Sequence, residues 1–200
     1  MKGASGKLPE GLREKASTTF DLAFKPRIFS LALEADRQAL EALSESGAID
    51  RVHDALLEQL AGLIETREPA RRFEKSELAL EVSKHLGDLH ADAYGAWIFY
   101  PWSKKLVHVL PEAEYRELRT SRNRNKITSE EQEKLRALRL GVVGLSVGQA
   151  TAVTLALEEV GGHLRLADFD TLELSNMNRL RTGVHNLGVP KVVMTAREIF

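Results

Sequence analysis

The chain has 200 residues, of which 43% are hydrophobic and 14 are glycine, globular proportions that exclude a collagen, a wholly disordered chain and a membrane channel. Its 28 Lys and Arg against 29 Asp and Glu leave a formal charge of -1, so no bulk field draws it to nucleic acid or anionic lipid, and neither is expected as a partner. Cysteine is absent, which removes disulfides, a thiolate nucleophile and Cys-ligated zinc from these residues.

Residues 1 to about 18 carry Gly, Pro, Lys and Ser without periodicity and read as a flexible tail. The chain opens without an apolar signal segment, and no apolar run approaches the roughly 20 residues of a membrane span. The expected address is therefore the cytoplasm, with no membrane partner. Leu33 to Leu43 has helical apolar spacing and closes on Ser44, Glu45, Ser46 and Gly47. Asp50 reads as the N-cap of a second helix, striped by Val52, Leu56, Leu60, Leu63 and Ile64 and stopped near Pro69. Residues 75 to 87 repeat the pattern with Leu78, Leu80, Val82 and Leu86 and end at Gly87. Trp97 to Tyr100 and Leu106 to Leu110 are β-branched and aromatic, and predict a hairpin or two short strands. Pro111 opens a charged helix, and a basic stretch of Arg119, Arg122, Arg124 and Lys126 follows it. Thr128 to Glu131 has capping-box spacing, so a helix to about Arg136 is expected. His53, Asp54, His85 and His90 have no metal-ligand spacing, and Trp97, Phe99 and Trp102 read as core or interface.

The chemistry concentrates after Leu138. Leu138 to Val143 is a short apolar run typical of a buried parallel strand, and the turn Gly144 to Gly148 leads into a helix to Val160 with Ala150, Val153, Thr154 and Leu157 on its apolar face. Gly161 and Gly162 end it, and a second strand, Leu164 to Ala167, delivers Asp168, Phe169 and Asp170. Strand, glycine-containing turn, helix, strand and acid make half of a nucleotide-binding βαβ unit. The first helical turn has amides without helical partners and a partial positive charge, so a helix starting near Val147 is a ready phosphate site. A carboxylate at the end of the second strand, here Asp168, can accept from ribose hydroxyls across the crevice. These features alone fit a plain turn and a helix cap equally well. The turn also reads G-x-S-x-G, the nucleophile elbow of serine hydrolases, with Ser146 as nucleophile and His163 or His185 as the available bases. An NAD-type dehydrogenase would share the turn and Asp168.

Two further groups bracket the crevice, Ser175-Asn-Met-Asn-Arg179 and, with its lysine twelve residues beyond Arg179, Gly188-Val-Pro-Lys191. Together these residues resemble the ThiF-type, ubiquitin-activating-enzyme-like adenylyltransferases, whose motifs run Gly-rich turn, D-x-D, S-N-x-x-R and G-x-x-K in this order. The resemblance covers about residues 120 to 200, and Glu131-Gln-Glu-Lys-Leu135 resembles the Gln-containing segment before the family's first strand. The stretches from Phe99 to Trp102 and Arg122 to Ile127 further resemble a bacterial molybdopterin-biosynthesis-like subgroup with a helical N-terminal region and a nitroreductase-like domain after the ThiF-type one.

The resemblance implies a Rossmann-like, doubly wound α/β fold, of which only the first βαβ lies within these residues. Before it come a mainly helical N-terminal region with a short β-hairpin (19–118) and the tail (1–18), with the nucleotide-binding part at 119–200. It implies ATP and Mg²⁺ as cofactors and a ubiquitin-like or sulfur-carrier protein as partner. Gly144, Ser146, Val147, Gly148, Asp168, Asp170, Asn176, Arg179 and Lys191 would contact the nucleotide, and Arg179 and Lys191 would balance charge on the phosphates. Arg122 or Arg124 would supply an arginine reaching the triphosphate, often across a homodimer. The pattern departs from the family's G-x-G-G-x-G, because Ser146 and Val147 replace the two inner glycines and Gly148 lies one position out of register. Cβ atoms there limit how closely a phosphate can approach the backbone, although the Ser146 hydroxyl could donate in exchange. Only 61 residues follow Arg139, whereas a doubly wound sheet needs well over about 100. The expectation is therefore a fragment, inactive alone, with the Mg²⁺ aspartate beyond residue 200. A noncatalytic nucleotide-binding protein of the same fold explains the missing glycines as well.

Overall fold

The computed structural model describes residues 10–13 and 20–200. Residues 10–13 form a single helical turn, α1 (Glu10–Arg13), and the rest of the expected tail lies outside the described residues. The N-terminal half then runs β1 (Arg27–Phe29), α2 (Glu34–Glu45), β2 (Arg51–Asp54), α3 (Leu56–Arg67), α4 (Lys75–Leu86), β3 (Ala96–Tyr100), β4 (Lys105–Val109) and α5 (Glu112–Arg119). The C-terminal half follows as α6 (Ser129–Arg136), β5 (Arg139–Val143), α7 (Leu145–Leu157), β6 (His163–Ala167) and α8 (Lys191–Ile199).

The expected hairpin is β3 against β4, with Ala96 opposite Val109 and Tyr100 opposite Lys105. It sits inside a larger mixed sheet of order β1-β3-β4-β2, in which β1 adds antiparallel to β3 and β2 adds parallel to β4. This corrects the reading of Asp50 and Val52. Residues 51–54 are a strand, and the acid at the head of α3 is Asp54, whose Oδ1 accepts from the Leu56 amide at 3.1 Å. The α3 stripe itself forms as its spacing requires: Leu56, Leu60, Leu63 and Ile64 are buried against Val82 and Leu110. On α4, Leu80 points to solvent and Val82 carries the buried contact. A second cluster of Phe29, Leu43, Phe99 and Leu106 fixes α2 to the sheet.

In the C-terminal half the capping box of Thr128 and Glu131 forms, and β5 pairs parallel to β6 with α7 as the crossover. The α/β class and the single opening βαβ are thus present. Helix α7 starts at Leu145, earlier than the spacing suggests, and this rotates its buried face onto Leu145, Gln149 and Ala152; Ala150, Thr154 and Leu157 face solvent and Val153 is half-buried. Its neighbour α8 contributes Val193 and Met194 to a third cluster with Leu172, Leu180 and Val189. Among the described residues, no helix is long and apolar enough to cross a membrane.

The fully buried hydroxyl of Thr195 on α8 has no hydrogen-bond partner among the described residues. An unmet buried hydroxyl costs about 1–3 kcal/mol, so Thr195→Val, which keeps the shape, should raise stability by about 1 kcal/mol. A lower denaturation midpoint for that variant would mean that the hydroxyl is satisfied in solution.

Candidate functional site

The site is built where β5 turns into α7. Gly144 has φ 82°, in the left-handed region that a side chain disfavours, although a Cβ there would meet nothing within 4 Å. Its glycine is required by the dihedral and not by space. Its amide donates to Ala167 O at 2.8 Å, which locks the turn onto the end of β6. Gly148 answers a different need. A Cβ at that position would lie 2.8 Å from Val142 Cγ1, so its absence lets α7 pack down on β5. Val147 faces outward, and the amides of Ser146 and Val147, in the first turn, have no helical acceptor.

Asp168 reaches from the end of β6 to this helix start. Its Oδ2 accepts from the Leu145 amide at 2.6 Å and its Oδ1 from the Asp170 amide at 2.8 Å. Burial pushes its pKa up, but the amides of Leu145, Asp170 and Phe169 and the Lys191 ammonium outweigh that and hold it below the usual aspartate value. A carboxylate with a lowered folded-state pKa contributes stability that is present above its unfolded pKa and lost as pH falls through the folded one. Asp168→Asn should therefore cost about 1 kcal/mol at neutral pH, because the amide offers one acceptor oxygen where the carboxylate serves two backbone amides, and the gap from wild type should close in acid below the usual carboxylate range. A gap that stays constant down to acid unfolding would contradict the charged-cap role.

The distant motifs converge on the same place through backbone pairing. Leu172 N donates to Val189 O and Gly188 N to Leu172 O, both at 2.8 Å, and Lys191 N donates to Asp170 O at 2.9 Å. Lys191 and Asp170 are thereby set opposite each other, and Lys191 Nζ donates to Asp170 Oδ2 at 2.7 Å and to Ser146 Oγ at 3.2 Å. The lysine is 2% exposed, whereas the Asp170 side chain is 49% exposed. No histidine meets Ser146 among the described residues; its hydroxyl partner is an ammonium paired with a carboxylate, which cannot act as a base.

The other expected residues are placed apart from this group. Asn176 is buried and turned inward, its Oδ1 accepting from Glu173 N at 3.2 Å, so it orders its own turn. Arg179 is exposed and donates to Asn178 Oδ1 at 2.9 Å and to Ser175 O at 3.4 Å, with no ion pair among the described residues. Arg124 is paired with Glu117 at 3.2 Å, and Arg122 is exposed without an ion pair among the described residues. No hydrogen bond or ion pair among the described residues joins any of these arginines to the Gly144 turn.

Two glutamines matter more than the sequence pattern indicates. Gln149 is buried on α7, and its amide pairs with the backbone of Arg181, Oε1 accepting at 3.2 Å and Nε2 donating at 3.3 Å, which ties the loop after Arg179 to the helix. A polar residue interrupting an apolar face is the available signal. Gln132 accepts from Asn123 and donates to the Glu158 carbonyl at the end of α7.

The turn opens on a cleft of about 1790 Å³ whose walls include Gly144, Ser146, Asp168 and Phe169 on one side and Ile98 and Tyr100 of the N-terminal sheet on the other. Phe169 is 98% exposed and Val143 84%. The first-turn amides of Ser146 and Val147, which have no helical acceptor, are donors of the kind that meet a phosphate. Among the described residues no group of three His, Asp or Glu gathers that could hold a divalent metal by itself.

Residues 120–199 match the model of the ThiF family. Over 103 residues the chain is 52% identical to "Uncharacterized protein MT1398" of Mycobacterium tuberculosis (strain CDC 1551 / Oshkosh), a match covering 52% of this chain and 14% of that protein. The chain therefore spans a minor part of its relative's length. No solved structure matches it. Motif order, the strand-turn-helix geometry and the family match agree on one assignment: residues 120–199 belong to the ThiF family.

Proposed function

We propose that residues 120–199 form the nucleotide-gripping start of an ATP-dependent adenylyltransferase acting on the C-terminal carboxylate of a ubiquitin-like or sulfur-carrier protein. The family as a whole supports ubiquitin-activating-like adenylyl transfer with ATP and Mg²⁺, and the acceptor is the part proposed for this chain. The observation that carries the reading is the convergence of Asp168, Asp170, Ser146 and Lys191 on the start of α7. ATP, supplied as its magnesium complex, provides the phosphoric anhydride. The acceptor carboxylate attacks the α-phosphorus, the bond to the bridging oxygen breaks, pyrophosphate leaves with that electron pair, and a mixed anhydride remains.

The chain's own groups position and neutralise. The Ser146 and Val147 amides donate to phosphate oxygens, Asp168 accepts from ribose hydroxyls, and Gly144 and Gly148 set the turn. Lys191 and Arg179 balance phosphate charge, with Asn176 holding the turn that presents Arg179. Arg122, free of ion pairs among the described residues, is the better of the two arginines for reaching the triphosphate of a second copy in a homodimer.

A second reading is a noncatalytic nucleotide binder, and the replacement of two glycines by Ser146 and Val147 favours it. ATP:pyrophosphate exchange in the presence of a sulfur-carrier protein separates the two. Label exchange into ATP supports the transferase; MgATP binding without exchange supports the binder; no heat on titration with millimolar MgATP defeats both.

A further inference from the structure

Lys191 has three N–H donors on a side chain that is almost wholly buried. Two are taken by Asp170 Oδ2 at 2.7 Å and Ser146 Oγ at 3.2 Å, and the side chain is 2% exposed. An ammonium enclosed to that degree is reached by an incoming phosphate only when one of the groups around it moves. The half-exposed partner is the one able to swing away: the Asp170 carboxylate is 49% exposed and lies in the cleft wall, whereas Ser146 is fixed in the first turn of α7. The backbone bond from Lys191 N to Asp170 O at 2.9 Å would survive that swing, so the lysine stays aimed at the site after its counter-charge moves. An oxyanion arriving at the Ser146 and Val147 amides would then lie where the carboxylate had been the lysine's charge partner, and the two anions would compete for one cation.

We propose that Asp170 is a displaceable counter-anion, which holds Lys191 off the nucleotide until a phosphate takes its place. The inference rests on the nucleotide-site reading given above and adds to it a closed state that ligand must open. Because the binding-competent form is then a fraction of the population, apparent affinity is reduced by that fraction, and a change that removes the competitor raises it.

The test compares MgATP binding by wild type and Asp170→Asn in calorimetry, together with the side-chain ammonium resonance of Lys191 in isotope-labelled wild type. The amide keeps an oxygen to accept from Lys191 but gives up the negative charge. Asp170→Asn should bind MgATP about fivefold or more tightly, as expected when a closed form is relieved. The Lys191 resonance should be protected from solvent exchange in the empty protein and should shift or lose protection as MgATP saturates. If wild type binds MgATP while Asp170→Asn binds it equally or more weakly, Asp170 positions the lysine and does not compete, and the inference falls with the nucleotide reading intact. A Lys191 resonance unchanged at saturation likewise rules out displacement of Asp170 and needs no variant, so a misfolded Asp170→Asn would not obscure it. Failure of both proteins to bind removes the nucleotide reading and this inference together.

Discussion

Asp170→Ala is expected to destabilise the protein by about 3 kcal/mol, whereas Lys191→Met should cost less than about 1 kcal/mol, although both break the same ion pair. The asymmetry follows from where each charge is left. Removing the carboxylate strands an ammonium that is 2% exposed, with only the Ser146 hydroxyl for a partner. Removing the ammonium strands a carboxylate that is 49% exposed and can be hydrated in place, while methionine fills most of the lysine's volume. Partial exposure of Asp170 lets water approach the pair, which places the loss at the low end of the range for breaking a buried ion pair. Chemical denaturation of the two variants beside wild type decides the matter. Equal losses would mean that Lys191 is solvated in solution, and a negligible loss for Asp170→Ala would mean that the pair does not form there.

The same pair shows what the sequence alone discloses. Asp168, Asp170 and Lys191 are legible because their motifs have fixed spacing and order, and the backbone pairing of Asp170 to Leu172 with Gly188 to Lys191 is what that order encodes. That Asp170 and Lys191 bond to each other is not legible, since spacing along a chain does not state which side chains face across a pairing. The helices of the N-terminal half follow from apolar spacing, with α3 the clearest, and the capping box marks α6 equally well. The strand β2 does not. Its partner β4 is some fifty residues away, all four of its residues are exposed, and the parallel pairing that creates it leaves no alternation to read. The buried face of α7 is misread from sequence for a related reason: Gln149 is polar and falls outside the apolar pattern, yet it is buried because its amide is satisfied by the Arg181 backbone. Arg122, Arg124 and Arg179 mark the limit on the functional side, because a cation's residue type says nothing about whether it reaches a cleft in one chain or in an assembly.

Gly95→Ala should be among the most damaging single-methyl changes in the molecule, costing about 3 kcal/mol or more. Gly95 enters β3 with φ 84°, and a Cβ there would sit 2.1 Å from the Val109 carbonyl oxygen and 3.3 Å from Leu56 Cδ1. A left-handed alanine costs about 1–2 kcal/mol by itself. The overlap adds more because its neighbours cannot yield: Ala96 is paired with Val109, and the carbonyl of the preceding Tyr94 accepts from His108 Nε2 at 2.7 Å. His108 is itself fully buried, held through Nδ1 by Asp54 at 3.0 Å and stacked on Trp97 with ring centroids 4.1 Å apart. Relief of the overlap therefore means parting β3 from β4 or pulling His108 off its partners. Gly144→Ala supplies the control, since it carries nearly the same φ of 82° with open space around the added methyl. Its loss should be confined to the dihedral cost, about 1–2 kcal/mol. Urea midpoints for the two variants isolate the steric part as their difference, and equal midpoints would show that the strand pair opens without resistance at Gly95.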